Sequence, residues 1–244
     1  MVGRFLDVTL GDPFSNLALE EALFFQVQVP TLRVWNNQRS VVIGRAQLAK
    51  FETDLARCDS EGVPIVRRFT AGGAVYNGKG NLNWSFIIPR RDFEMRSRPG
   101  AVGDVFALFA SVVVRALKAC KIDCTFNAPN SICNKDGKIS GMAAYISRDG
   151  VLCHGTLLVN ADLHMVETLT RPSSQELKRR YPRSNVTAVA NCNVDIPGFV
   201  SKLKEESHCV FEEERLSESE MATTSDLLAS KYSTREWNLG DPFR

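Results

Sequence analysis

The sequence predicts one mixed α/β domain, spanning residues 1–244, whose strands are joined largely by hairpins. Three observations carry this. In "NLNWSFII", Leu82, Trp84 and Phe86 alternate with polar residues, the period-two signature of a strand. In "AVGDVFALFASVVVRALKACKI", Val102, Phe106, Phe109, Val113 and Leu117 recur at steps of four, three, four and four, as on a helix packed against a sheet. Two Asp-Gly pairs, Asp136-Gly137 and Asp149-Gly150, punctuate the β-rich stretch from Thr125 to Asn160 and mark hairpin turns.

Taken in order, "MVGRFLDVTL" reads as a strand and lacks the apolar core of a secretion signal. "SNLALEEALFFQ" reads as a helix capped by Ser15 or Asn16, with Ala18, Ala22 and Phe25 on one face. "TLRVW" and "SVVIG" are strands joined by the polar turn "NNQR". "FETDLARCDSEG" is a short helix stopped by Gly62, and "VPIVRRF" is a further strand. Residues 89–100 form a basic, proline-containing connection to the long helix. The stretch from Leu163 to Trp237 is mostly helical, with a break around "RSNVTAVANCNVDIPG".

Composition narrows the function. A net charge of +2 gives no footprint for coating nucleic acid, so any basic site is local. No run of about 18 apolar residues is present, so no membrane span is expected. Seven cysteines, without a CxxC pair, fit reduced thiols and a cytoplasmic location. The three histidines show no metal-ligand spacing.

Chemistry concentrates in three short segments. "RRFTAGGAVYNGKGNLNWSFII" (67–88) joins two arginines to glycines and asparagines. Gly72 and Gly73 free the backbone to turn its N–H groups toward an anion, and only one of Arg67 and Arg68 can face the same side. A phosphate cradle is one reading, and a plain turn between strands is the other. No Walker lysine and no GxGxxG entering a helix is present. In "NKDGKISGMAAY", Lys138 follows a turn and precedes Ser140-Gly141, where it is either a solvated hairpin charge or a point charge for a bound carboxylate or phosphate. "VLCHGTLLVNADL" sets His154 and Gly155 at the start of an apolar strand, where a lone histidine is commonly structural.

In this order the three segments resemble the lipoate–protein ligase A family, within the biotin/lipoate ligase superfamily. The resemblance rests on Arg67, Arg68, Gly72, Gly73, Val75, Gly80, Asn81, Asn83 and Ser85, then Lys138, Ser140 and Gly141, then His154, Gly155, Thr156, Leu157 and Leu158. "WNNQRSVVIGRAQ" (35–47), "RSNVTAV" (183–189) and "KYSTREWNLG" (231–240) extend it over nearly the whole chain. It implies a class II aminoacyl-tRNA synthetase-like fold of mixed, largely antiparallel sheets flanked by helices. It also implies an ATP-dependent ligase in which lipoate attacks the α-phosphate of ATP and a lysine of a lipoyl carrier domain, H-protein or E2-type, then takes the acyl group. By the same resemblance Arg68 and the backbone of Gly73, Ala74, Val75 and Tyr76 hold the nucleotide. Lys138 bridges the carboxylate and the α-phosphate as the catalytic residue. Gly72, Asn81, Asn83, Gly141, His154, Gly155 and Thr156 complete the binding site.

Three positions depart from the family pattern. Its SGGG element is Thr70-Ala71-Gly72-Gly73, its His-Asp pair is Asn77-Gly78, and its Asn-Asp before the lysine is Asn130-Ser131. Two carboxylates are thereby lost, so the ligands of the implied Mg²⁺ are open. The family's small C-terminal domain is also expected on a separate accessory subunit. An ATP-independent lipoyl or octanoyl transferase with Cys153 as nucleophile is the alternative, and a non-catalytic cofactor-binding homologue is a third.

Overall fold

The computed structural model describes residues 2–94, 102–170, 181–185 and 187–243. The chain opens with β1 (Val2–Asp7), α1 (Pro13–Phe25), β2 (Thr31–Trp35) and β3 (Ser40–Ile43), followed by α2 (Ala49–Glu52), α3 (Leu55–Ser60) and β4 (Ile65–Arg67). Next come β5 (Val75–Asn77), β6 (Asn81–Pro89), α4 (Arg90–Glu94) and α5 (Val102–Ala119). The second half holds β7 (Thr125–Asn127), β8 (Ser131–Asn134), β9 (Gly137–Ile146), β10 (Gly150–Leu158), α6 (Leu163–Leu169), α7 (Ile196–Glu206), β11 (Val210–Glu213), α8 (Glu218–Leu227) and α9 (Arg235–Leu239). A short π-helical turn, Leu228–Tyr232, follows α8.

Among the described residues these strands make two sheets. The larger runs β11-β1-β2-β6-β10-β9-β8-β7, and the smaller runs β4-β3-β5. In the larger sheet β1 is parallel to β11 and β2, and the other pairings are antiparallel. The mixed, largely antiparallel architecture expected from the sequence is the one observed.

Strand alternation decides what each face does. Leu32, Trp84, Phe86, Cys153 and Leu157 project to one face, against Phe109, Val113 and Leu117 of α5. The opposite face meets α1 at one end of the strands, where Leu19, Leu23 and Phe24 cover Ile87 and Leu152. The small sheet stands at the other end, and Val42 and Val66 pack there with Leu17, Ala18 and Trp35. An open space is left between the two sheets.

Several local expectations are corrected. Helix α1 is capped by Asp12, whose carboxylate accepts from the N–H of Ser15 at 2.9 Å, with Pro13 in the first turn. Asn16 is instead buried inside the helix, where its amide bonds Leu10 and Arg33. Ala18 and Ala22 are fully buried, but Phe25, in the last turn, is 60% exposed. The helix expected over 51–62 is split at Thr53-Asp54, because Asp54 caps the new helix α3 by accepting from Arg57. Gly62 ends α3 with φ +61, as its role as a stop requires. Strands β2 and β3 enter different sheets rather than forming a hairpin. The C-terminal region contains a short edge strand, β11, which four residues without alternation did not announce. Residues 95–100 of the basic connection lie outside the described residues, and its first part is helical, as α4. No helix among the described residues is long and apolar enough to cross a membrane.

Candidate functional site

The glycine segment is not a hairpin turn. Strands β4 and β5 both pair with β3, on opposite sides, so residues 68–74 must cross over the end of β3. Gly44, at that end, permits the crossing: a Cβ there would lie 2.2 Å from the carbonyl oxygen of Gly72. Gly72 has φ +102, a backbone conformation that disfavours side chains, and a Cβ on it would meet Arg68 Nη2 at 2.8 Å.

The two arginines diverge, as alternation demands. Arg67 points away from the crossing and bonds the carbonyl oxygens of Arg45, Gln47, Trp237 and Gly240. Arg68 turns inward, and its Nη2 donates to the carbonyls of Ala71 (2.7 Å) and Gly73 (2.9 Å). Burial lowers the Arg68 pKa to about 10, with Glu20 working in the opposite sense. In this arrangement Arg68 shapes the loop from within. The Ala74 N–H is also engaged, donating to Ser184 Oγ at 2.7 Å. Ser184 in turn accepts from Gln47 Nε2, and its own N–H donates to the buried carboxylate of Glu52. The 183–185 segment thus clamps the loop from outside.

A buried relay supports Arg68 from the sheet side. Arg68 Nε donates to Thr70 Oγ1 (3.0 Å), and Thr70 Oγ1 contacts His154 Nε2 (2.8 Å). His154 Nδ1 contacts Glu20 Oε2 (2.8 Å), while Ser85 Oγ donates to Glu20 Oε1 (2.6 Å). The His154 ring thus bridges the Thr70 hydroxyl and the Glu20 carboxylate. Burial pushes the Glu20 carboxyl up, but the contacts with His154, Ser85 and Arg33 outweigh it and leave the pKa below its ordinary value. Reasoning on the sequence missed Glu20, Thr70 and Ser184 as site residues. The available signal was a pair of acidic residues, Glu20 and Glu21, inside an otherwise apolar helix.

The floor of the space is a row of directly paired residues: Trp35 of β2, Asn83 of β6, Thr156 of β10, Gly141 of β9 and Ser131 of β8. Together with the loop they border a pocket of about 760 Å³. Lys138 belongs to it. A Cβ on Gly141 would lie 3.0 Å from Lys138 Nζ, so the missing side chain leaves the ammonium group its place above the row. The backbone of Lys138 is fixed by the 188–190 segment, through Ala188 O and the Ala190 N–H. Its Nζ has no hydrogen-bond or ion-pair partner among the described residues, and burial lowers its pKa from the ordinary lysine value.

Of the residues singled out from the sequence, Arg68, Gly72, Gly73, Ala74, Val75, Asn83, Lys138, Gly141, His154, Gly155 and Thr156 border this pocket. Tyr76 borders an adjoining one of about 260 Å³. Asn81 borders neither and uses its Nδ2 to hold the Tyr76 carbonyl at 3.2 Å. Gly155 also serves the opposite face, where a Cβ would lie 2.5 Å from Trp84. Cys153 is fully buried on that opposite face, and burial pushes its thiol pKa well up.

Among the described residues no cluster of three or more His, Cys, Asp or Glu side chains is placed to hold a metal ion. The described carboxylates that border the two pockets are Asp136 and Glu167, both exposed and on separate elements. These residues do not form a protein-held Mg²⁺ site.

Comparison with known proteins follows the same lines. Residues 12–206 match the model of the lipoyl protein ligase A/B catalytic domain. The chain is 30% identical to lipoate-protein ligase A subunit 1 of Thermoplasma acidophilum, over 98% of this chain and 97% of that protein. A T. acidophilum protein solved with bound lipoic acid superposes with a TM-score of 0.83 at 30% identity, covering 98% of this chain and all of the other. The bi-partite lipoate protein ligase of that organism, described with its E2 lipoyl domain, gives 0.85 at 29% identity, covering 98% and 97%. A lipoate-protein ligase A bound with ATP gives 0.83 at 30% identity, covering 98% and 99%.

Proposed function

The chain belongs to the lipoyl protein ligase A/B catalytic domain family, and we propose that it is the catalytic subunit of an ATP-dependent lipoate–protein ligase. One observation carries this: Lys138 Nζ, a half-buried ammonium group without a hydrogen-bond or ion-pair partner among the described residues, stands over a row that runs from Gly141 through Thr156 and Asn83 to the aromatic Trp35. A desolvated cation without a counterion favours an anionic ligand, and an apolar end beyond it suits an acid with a hydrocarbon tail. Similar proteins are described with lipoic acid and with ATP bound.

In the first step a lipoate carboxylate oxygen forms a bond to the α-phosphorus, and the bond from that phosphorus to the bridging oxygen of pyrophosphate breaks. Negative charge collects on the phosphoryl oxygens, next to Lys138, whose fixed charge stabilises it. In the second step the amine of a carrier lysine attacks the acyl carbon, AMP departs, and the amine loses a proton. The glycine loop, held by Arg68 within and Ser184 outside, gives the nucleotide a rigid wall. The carboxylates that border the two pockets among the described residues, Asp136 and Glu167, are not paired to hold Mg²⁺.

The acceptor is a lipoyl carrier domain of the E2 or H-protein type. An accessory subunit partners the chain, in keeping with the "subunit 1" and bi-partite descriptions of its relatives. A cytoplasmic setting agrees with seven free thiols. The cysteine-dependent transferase finds no support at Cys153, which is buried on the far face of the sheet. Incubation with lipoate, ATP-Mg²⁺ and a lipoyl domain, with and without the accessory subunit, tests the proposal. Pyrophosphate release and a lipoyl mass on the carrier support it. Acyl transfer without ATP overturns it.

A further inference from the structure

Asn83 sits on the row two strands from Gly141 and one from Trp35. It is only 4% exposed. Its Oδ1 accepts the Thr156 hydroxyl proton at 2.8 Å, which fixes the amide plane. The other end, Nδ2, is buried without an acceptor among the described residues, and the residue borders the pocket. Buried donors are rarely left unmet in a native fold, so an orphan N–H beside a pocket points to a ligand atom.

We propose that Asn83 is a specificity-determining residue, whose Nδ2 donates to a dithiolane sulfur of the bound acid, with Thr156 as the positioning residue that orients it. The inference rests on the ligase reading, which supplies lipoate as the bound acid and places its carboxylate at Lys138.

The geometry follows from the sheet. Neighbouring strands lie about 4.8 Å apart, so Asn83 and Gly141 are separated by roughly 9.6 Å along the row. Lys138 Nζ lies 3.0 Å from the Cβ position of Gly141, which puts a carboxylate at the start of that span. In lipoate the nearer sulfur is six bonds from the carboxyl carbon, roughly 7–8 Å in an extended chain of ~1.5 Å bonds. Adding a contact of about 3 Å to Nζ brings that sulfur opposite Asn83. Trp35, Leu17 and Val42 then close the pocket around the rest of the ring.

Sulfur is a weak acceptor, but a methylene is none. Octanoate has the same carbon chain and no sulfur, so it would cover Nδ2 and leave it unmet. Lys138 and the apolar end serve both acids alike, which leaves the choice between them to this amide.

The test is calorimetric binding of lipoate and of octanoate without ATP, repeated as kcat/KM for pyrophosphate release. The wild type favours lipoate by about tenfold, the order expected for one unmet buried donor. Asn83→Leu, of similar size and without a donor, brings that ratio to near one by weakening lipoate and strengthening octanoate. Thr156→Val frees the amide to turn and reduces the ratio as well, so a folding defect in one variant leaves the other to decide. Equal affinity of the wild type for the two acids, or a ratio unchanged in both variants, overturns the proposal. Selective lipoate binding without pyrophosphate release sinks the ligase reading alone. Pyrophosphate release equally well with either acid sinks this inference alone.

Discussion

Replacing Thr70 with valine keeps the shape of the side chain and deletes one hydroxyl. That hydroxyl accepts from Arg68 Nε at 3.0 Å and contacts His154 Nε2 at 2.8 Å, and all three residues are at most 8% exposed. The variant therefore deprives two largely buried polar groups, Arg68 Nε and His154 Nε2, of the oxygen each contacts. Each such group costs about 1–3 kcal/mol, so the expected destabilisation is about 2–6 kcal/mol. That is a large share of the roughly 5–15 kcal/mol that holds a domain together. The consequence reaches the pocket, because the Arg68 guanidinium whose Nε is released is the one that ties the Ala71 and Gly73 carbonyls. Urea denaturation measures the first effect and lipoate and ATP affinities the second, with Thr70→Ser as the control that restores both. A Thr70→Val protein within about 0.5 kcal/mol of wild type, the spread of ordinary surface changes, would refute the relay as a support of the loop.

Three further outcomes follow from the same geometry. Lys138→Met stabilises the ligand-free protein, because it removes a desolvated charge that has no partner among the described residues. Since the folded-state pKa is lowered, the cost of holding the proton is present at neutral pH. It fades as pH rises from that lowered value toward the ordinary 10.5, so the stability gap between variant and wild type narrows across that window in pH-dependent denaturation. Gly44→Ala forces a Cβ to 2.2 Å from the Gly72 carbonyl oxygen, and the overpacking lowers stability by at least about 1–3 kcal/mol, measured by thermal unfolding. Cys153→Ala retains most pyrophosphate release, since this thiol is on the far face of the sheet; an acyl mass on Cys153 in the wild type, formed without ATP, contradicts this.

The legible parts of this fold are those written in local pattern. Alternation in 81–88 and the two Asp-Gly turns gave the central hairpins, because residues two apart share a face and turn chemistry is set by four residues. The same rule separates Arg67 from Arg68, which project to opposite sides at the end of β4. Glu20 was not legible. Its partners are His154, 134 residues away, and Ser85, 65 residues away, and no local rule couples a helix carboxylate to two distant strands. The crossing of 68–74 over β3 was equally hidden, since strand order is a property of the sheet and not of the segment. Ser184 belongs to the same class: the 183–189 stretch gives no local sign that its serine accepts from the Ala74 amide 110 residues away. The resemblance drew Asn81 and Gly155 toward the ligand, whereas the structure also gives them packing duties that spacing alone does not show.

The most direct test of the account is lipoate-dependent pyrophosphate release by the purified chain with ATP-Mg²⁺ and the accessory subunit, compared with Lys138→Ala under the same conditions. The wild type is expected to release pyrophosphate only when lipoate is present. The variant, folded by circular dichroism, is expected to be about 10²–10³-fold slower, the usual loss when a preorganised charge is removed from a transition state. Near-normal release by Lys138→Ala would contradict the assignment of this ammonium group to the reacting carboxylate and phosphate.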